Sequence, residues 1–127
     1  MATPSDRLYT KEHEWAKIDG QTAVIGITDY AQSSLGDIVY VEMPKPGVSV
    51  ERGKPMGVVE SVKAVSDVYA PVSGTIAEVN ANVEDDQTKV NTDPYGEGWL
   101  VKVTVGAPSD KTGLMDAASY DELVKSL

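Results

Sequence analysis

The stretch VVESVKAVSDVYAP, Val58 to Pro71, gathers one lysine, two carboxylates and two serines within a few residues. Two short β-runs meet at Lys63 and Ala64, which makes the lysine the tip of an expected hairpin. An amine presented at such a tip is a place for covalent modification. The plain alternative is a solvated turn lysine, which is common. Tight hairpin tips favour Asn-Gly or Asp-Gly because the two-residue loops need positive φ, and Lys-Ala supplies neither residue. A two-residue loop would set Val62 opposite Val65, Ser61 opposite Ser66, Glu60 opposite Asp67 and Val59 opposite Val68. Glu60 and Asp67 would then be like charges face to face, at a cost of about a few tenths of a kcal/mol or more. Local rules broken together tend to mark functional or strained sites.

Little else in the chain is equipped for chemistry. There are no cysteines among the 127 residues, so disulfides, thiolate metal sites and thiol nucleophiles are excluded. The single histidine, His13, leaves little room for a histidine-built metal site or a His-centred triad, and it is given no role. The acidic run VEDDQTKVNTD lacks the glycine and terminal glutamate of a calcium loop. No glycine-rich phosphate cradle and no nucleophile elbow is present. Neither a catalytic residue nor a metal ligand is expected. Twenty acidic residues against 11 basic ones give a formal net charge of −9, which argues against nucleic acid or an anionic membrane as partner. No apolar run approaches the roughly 20 residues of a membrane span. The opening MATPSDRLYTKE has no apolar signal core and no Arg/Ser-rich transit character, so a cytoplasmic protein of bacterial type is the expectation.

The elements that would position Lys63 are mostly strands. Phenylalanine is absent, valine is abundant, and 11 Gly and 7 Pro punctuate the chain, a composition suited to short strands joined by turns. Strands are expected at Trp15–Ile18, Ala23–Ile27, Asp37–Glu42, Pro55–Val62, Val65–Tyr69, Gly74–Val79 and Trp99–Val105. Their spacing suggests a β-sandwich or flattened barrel. A short helix, DYAQSSL, is expected between a Thr28 cap and a Gly36 stop. A second helix, SYDELVKSL, would start at Ser119, with Glu122 at capping-box spacing and Leu123 and Leu127 toward the core. The piece Asn80–Gly98 reads as turn-rich. With no linker and no repeat, residues 1–127 are expected to form one domain. Trp15 and Trp99 are expected to fill the core or line a cleft.

Several motifs in order resemble the glycine cleavage system H protein, a lipoyl carrier. GVVESVKAVSDVYAPVSGTI is similar to that family's prosthetic-group segment. YTKEHEWAKIDG resembles its opening, GITDYAQSSLGDIVYVEMPKPGVSV its helix-then-strand block, VNTDPYGEGWLVKV its signature near the end, and GLMDAASYDEL its C-terminal helix. The resemblance covers nearly the whole chain, with EDDQTKVN the least typical piece. It implies a mostly-β, lipoyl/biotinyl-carrier-like barrel-sandwich hybrid with a short internal helix and a C-terminal helix. It also implies (R)-lipoate in amide linkage to Lys63, on an arm reaching about 14 Å from ordinary bond lengths. Biotin carriers place methionine on both sides of the lysine, whereas Val62 and Ala64 stand here. Glu60, Ser61, Val62 and Ala64 are the candidates for recognition by the lipoate-attaching enzyme.

The implied work is transport of the aminomethyl group of glycine. A pyridoxal-phosphate glycine decarboxylase loads the arm, a tetrahydrofolate-dependent aminomethyltransferase unloads it, and a flavin (FAD) dihydrolipoyl dehydrogenase reoxidises it. The carrier is then not itself an enzyme, and a monomer is expected. In the family the cationic end of the loaded arm is associated with an acidic residue of the H-E-W stretch, here Glu14, and with a second acid that matches Asp67. A bound cation would also relieve the repulsion expected between Glu60 and Asp67. Competing readings are a carrier that hands lipoate on to other lipoyl enzymes, and a stand-alone β-domain whose lysine stays unmodified. A stand-alone enzyme fits worst, for want of catalytic groups.

Overall fold

A computed structural model of the chain describes residues 2–106 and 111–127. Among the described residues the strands form two antiparallel sheets that do not close into a barrel. In chain order the elements are β1 (Leu8–Tyr9), β2 (Glu14–Asp19), β3 (Thr22–Ile27), α1 (Asp29–Leu35), β4 (Ile38–Glu42), β5 (Ser49–Val50), β6 (Pro55–Ser61), β7 (Val65–Tyr69), β8 (Gly74–Val79), α2 (Ala81–Asp85), α3 (Thr88–Thr92), β9 (Val101–Thr104) and α4 (Ala117–Lys125). The larger sheet runs β1-β2-β3-β9-β8-β5 and the smaller β4-β6-β7. This is the mostly-β architecture expected, with a short internal helix and a C-terminal helix. No helix among the described residues is long and apolar enough to cross a membrane.

Period-two alternation sorts the side chains. Ala16, Ile25, Ile27, Val101 and Val103 of the larger sheet pack with Ile38, Val59 and Val68 of the smaller one in the main core. Trp15 points the other way, into a second cluster with Tyr9 and Tyr120 that α4 covers. Its indole N–H donates to the carbonyls of Ile27 at 3.1 Å and Pro94 at 3.0 Å, so a buried polar atom is satisfied. Gly26, opposite Trp15 in the β2–β3 ladder, must be a glycine, because a Cβ there would lie 2.6 Å from the indole ring. Trp99 is only half-buried, with the Lys102 ammonium 5.0 Å from its ring.

Helix α1 is capped as its sequence suggests: the Thr28 hydroxyl accepts the Ala31 N–H at 3.2 Å, and Gly36, at φ 85°, ends it. Five expectations are corrected. Asn80–Gly98 holds α2 and α3 rather than turns alone; the Asn80 side chain caps α2 by accepting the Asn82 N–H. Helix α4 starts earlier than Ser119, because the Asp116 carboxylate accepts the Ser119 N–H at 2.9 Å and takes the cap. Leu123 packs on the Trp15 cluster, but Leu127 is exposed, past the end of the helix. The expected strand Trp99–Val105 narrows to Val101–Thr104, and Val62 leaves the end of β6 for the loop.

Candidate functional site

The β6–β7 hairpin corrects the two-residue loop. Glu60 pairs with Val65, Val59 with Ser66 and Val58 with Asp67, so the loop is Ser61–Ala64 and the register lies two residues from the expected one. Glu60 and Asp67 are therefore diagonal neighbours on one face instead of a directly opposed pair, and their repulsion is correspondingly weaker. The turn closes without glycine because Ser61 supplies the missing partners. Its N–H donates to the Ala64 carbonyl at 2.8 Å. Its hydroxyl oxygen accepts the N–H of Ala64 at 3.1 Å and of Lys63 at 3.3 Å. Among the described non-glycine residues positive φ occurs only at His13, so neither Lys63 nor Ala64 needs it. The Val62 N–H donates to the Asp37 carbonyl at 3.2 Å and anchors the tip to the start of β4.

Lys63 is exposed at this tip, with Val62 and Val65 beside it 72% and 66% exposed. Its Cε lies 3.6 Å from where a Gly36 Cβ would be, so the lysine stem passes close to the end of α1. Glu60 is half-buried on the outer face of the small sheet, in the row formed with Tyr40 and Val65. Ser61 is buried and turned into the loop, whereas Val62 and Ala64 face solvent.

Glu14 opens β2 and is 2% exposed. Alternation puts it on the face of Ala16 and Ile18, so it is folded into an apolar surface. Oε1 accepts the Thr10 hydroxyl proton at 2.7 Å and Oε2 the Tyr69 amide at 3.4 Å. Burial pushes its pKa up to about 7; the hydrogen bonds from Thr10 and Tyr69 oppose that rise, and the charge of Glu12 adds to it. Asp67 is exposed and stands two residues before Tyr69 on β7. The two acids are thus brought to the same strand, one from inside through the Tyr69 backbone and one on the surface.

The β1–β2 loop that presents Glu14 is held by groups to which no role was assigned from the sequence. The Thr10 N–H donates to the Glu14 carbonyl at 2.9 Å and the His13 N–H to the Thr10 carbonyl at 3.1 Å, while His13 takes φ 73°. This is a three-residue hairpin loop with histidine in the left-handed position. His13 Nδ1 lies 2.8 Å from the Tyr120 hydroxyl, which lies 2.7 Å from the Thr28 hydroxyl. Burial lowers the histidine pKa. The loop is thereby fastened to α4 and to the cap of α1. Thr10, four residues before a glutamate, carried no signal of its own until the loop brought the two together. Among the described residues no group of His, Cys, Asp and Glu could hold a metal ion.

Residues 7–127 match the sequence model of the family described as Glycine cleavage H-protein. The chain is 57% identical over 122 residues to a glycine cleavage system H protein of Herpetosiphon aurantiacus, covering 95% of this chain and 92% of that one. It is 52% identical over 126 residues to one from Thermus thermophilus, covering 99% and 98%. Among solved structures, the glycine cleavage system H protein of Mycobacterium marinum superposes with a TM-score of 0.86 at 41% identity, over 98% of this chain and 99% of that one. A match of this extent, over the very segments that carry the Lys63 turn and the Glu14 loop, places the chain in the glycine cleavage H-protein family.

Proposed function

We propose that the chain is the lipoyl carrier of a glycine cleavage system, with (R)-lipoate attached to Lys63. The observation that carries this reading is the Lys63 turn: an exposed amine on a loop whose backbone is tied down by Ser61 and by Asp37. Such a tip offers an attaching enzyme a fixed target with little around it, and leaves the stem free on the surface once modified. The residues fit the group. The amine is accessible, Gly36 leaves room beside the stem, and Val62 and Val65 give an apolar surround to an aliphatic chain. Glu60, Val62 and Ala64 face the attaching enzyme, and Ser61 acts by fixing the shape of the loop.

When attached, lipoate supplies a disulfide that takes up the aminomethyl group of glycine and is later regenerated by oxidation. The chemistry at each stop belongs to the partners: the pyridoxal-phosphate glycine decarboxylase, the tetrahydrofolate-dependent aminomethyltransferase and the FAD-dependent dihydrolipoyl dehydrogenase. This chain contributes reach and protection. Glu14 is a buried carboxylate that no basic side chain pairs with among the described residues, and so has a strong preference for a cation brought to it. A carboxylate that keeps an amine protonated denies it the lone pair with which it would expel the neighbouring sulfur. Asp67 adds a second negative charge at the surface.

The test is intact mass and peptide mapping of protein produced with lipoate and a lipoate-attaching enzyme. One lipoyl group on Lys63, and loss of both modification and glycine cleavage in Lys63→Arg, are expected. An unmodified Lys63 beside a control carrier lipoylated in the same cells would refute the reading.

A further inference from the structure

Thr10 is 7% exposed and its side chain makes two hydrogen bonds to the same residue: its hydroxyl oxygen accepts the Glu14 N–H at 3.1 Å, and its hydroxyl proton goes to Glu14 Oε1 at 2.7 Å. We propose that Thr10 is a positioning residue for the cationic end of the arm, acting through Glu14, whose carboxylate it orients and steadies. The inference rests on the reading that Glu14 receives that end. The geometry leaves the hydroxyl one arrangement. Its oxygen is engaged by a backbone donor, so its single proton is directed at the carboxylate, and a β-branched side chain is stiff about χ1. The backbone of Thr10 is fixed on both sides, by its N–H on the Glu14 carbonyl and by its own carbonyl under the His13 N–H. At 2.7 Å the two oxygens stand at an ordinary O–H···O hydrogen-bond distance. Oε1 is thus occupied, and the Tyr69 amide at 3.4 Å holds Oε2 only weakly, which leaves Oε2 as the oxygen with capacity for a further donor.

Thr10 also reaches the surface. With Lys11, Glu12, Arg52, Ala70 and Met115 it borders a cleft of about 280 Å³, while Glu14 is outside that lining and touches it through Thr10. The charged group acting on Glu14 is Glu12 in its own loop; from α4, Tyr120 faces it, and burial pushes that hydroxyl's pKa up to about 12, with the Glu14 charge adding to the rise. Burial drives Glu14 toward the neutral acid, and the Thr10 bond is the largest opposing influence. A site for an ammonium needs the charged form, and this hydroxyl favours it because a carboxylate oxygen accepts its proton more strongly than the neutral acid does.

The experiment follows the Glu14 side-chain carboxyl by carbon NMR across pH in the full-length unlipoylated protein, as wild type, Thr10→Val and Thr10→Ser. It is joined by the pH profile of one-carbon retention on the loaded forms and on loaded Glu14→Gln. Thr10→Val is expected to move the Glu14 titration up by about one pH unit and the retention profile in the same direction, and Thr10→Ser to restore both. An unmoved titration in Thr10→Val, or a shift that Thr10→Ser fails to reverse, overturns the proposal whatever the arm does. A moved titration with retention unaffected by Glu14→Gln overturns the assignment of Glu14 to the arm, and with it the role of Thr10 toward the arm.

Discussion

The backbone amide of Tyr69 donates to Oε2 of Glu14 at 3.4 Å, so a buried carboxylate at the head of β2 is tied to the strand that descends from the Lys63 turn. The bond is long and the site apolar, and burial is the largest influence on the acid. The carboxyl, near 4.5 when unfolded, is raised to about 7 in the folded chain. Between those values the native state binds a proton that the unfolded chain has released. Stability from this group is therefore fully present below pH 4.5 and is lost as pH rises through about 7. The shift corresponds to a loss of about 3 kcal/mol. Glu14→Gln is neutral throughout and escapes it. Urea unfolding from pH 4.5 to 8 should show the variant gaining about 3 kcal/mol on the wild type across that window. A difference that does not change with pH would mean the ionised carboxylate is not desolvated.

Ser61→Ala should destabilise the chain by about 1 kcal/mol, because the amides of Lys63 and Ala64 lose the oxygen that receives them. It should also slow lipoylation of Lys63, since the tip is no longer held in one shape. Ser61→Thr retains the hydroxyl and should recover most of both. Thermal unfolding and a lipoylation time course read the two effects separately. Normal modification of a destabilised Ser61→Ala would show that the attaching enzyme does not depend on the shape of the turn.

The position of Lys63 was legible because the β-runs on either side of it, and the turn signals beyond them, point to a hairpin whatever its register. The loop length was not. It is set by a side chain, Ser61, folding back on amides two and three residues ahead, and composition does not distinguish that from a tighter turn. The burial of Glu14 was available in principle, since period two places it with Ala16 and Ile18. Its partners were not: Thr10 reaches it through a loop closed by a left-handed histidine, and Tyr69 comes from 55 residues away. Helices α2 and α3, at five residues each, are too short to show a 3.6-residue pattern. At α4 two capping residues compete in sequence, and the earlier, Asp116, takes the cap and leaves Ser119 inside the first turn.

His13 occupies φ 73° and places Nδ1 2.8 Å from the Tyr120 hydroxyl. The left-handed conformation costs a non-glycine residue about 1–2 kcal/mol. His13→Ala would keep that strain and lose the tyrosine contact, whereas His13→Gly would lose the contact and relieve the strain. His13→Gly should therefore be more stable than His13→Ala by about 1 kcal/mol, the reverse of the usual order for glycine and alanine. Denaturant midpoints of the two variants decide it. The usual order would mean that the loop relaxes out of the left-handed conformation once the imidazole is gone.

Glu14 and Asp67 should protect the aminomethyl group to different degrees and with different sensitivity to salt. Glu14 is 2% exposed, so its attraction for an ammonium acts through a medium that salt does not enter. Asp67 is exposed, and an exposed ion pair is worth about 0–1 kcal/mol and weakens as ions screen it. At low ionic strength Glu14→Gln should shorten the lifetime of the loaded arm at least about tenfold, the effect of losing a charged hydrogen bond of about 1.5–3 kcal/mol. Asp67→Asn should shorten it no more than about fivefold, with the difference from wild type disappearing near 0.5 M salt, where the screening length falls to about 4 Å. The release of formaldehyde and ammonia from the loaded protein gives the lifetimes directly. Equal, salt-sensitive effects in the two variants would show that the ammonium stays in the surface field of both acids and never enters the pocket of Glu14.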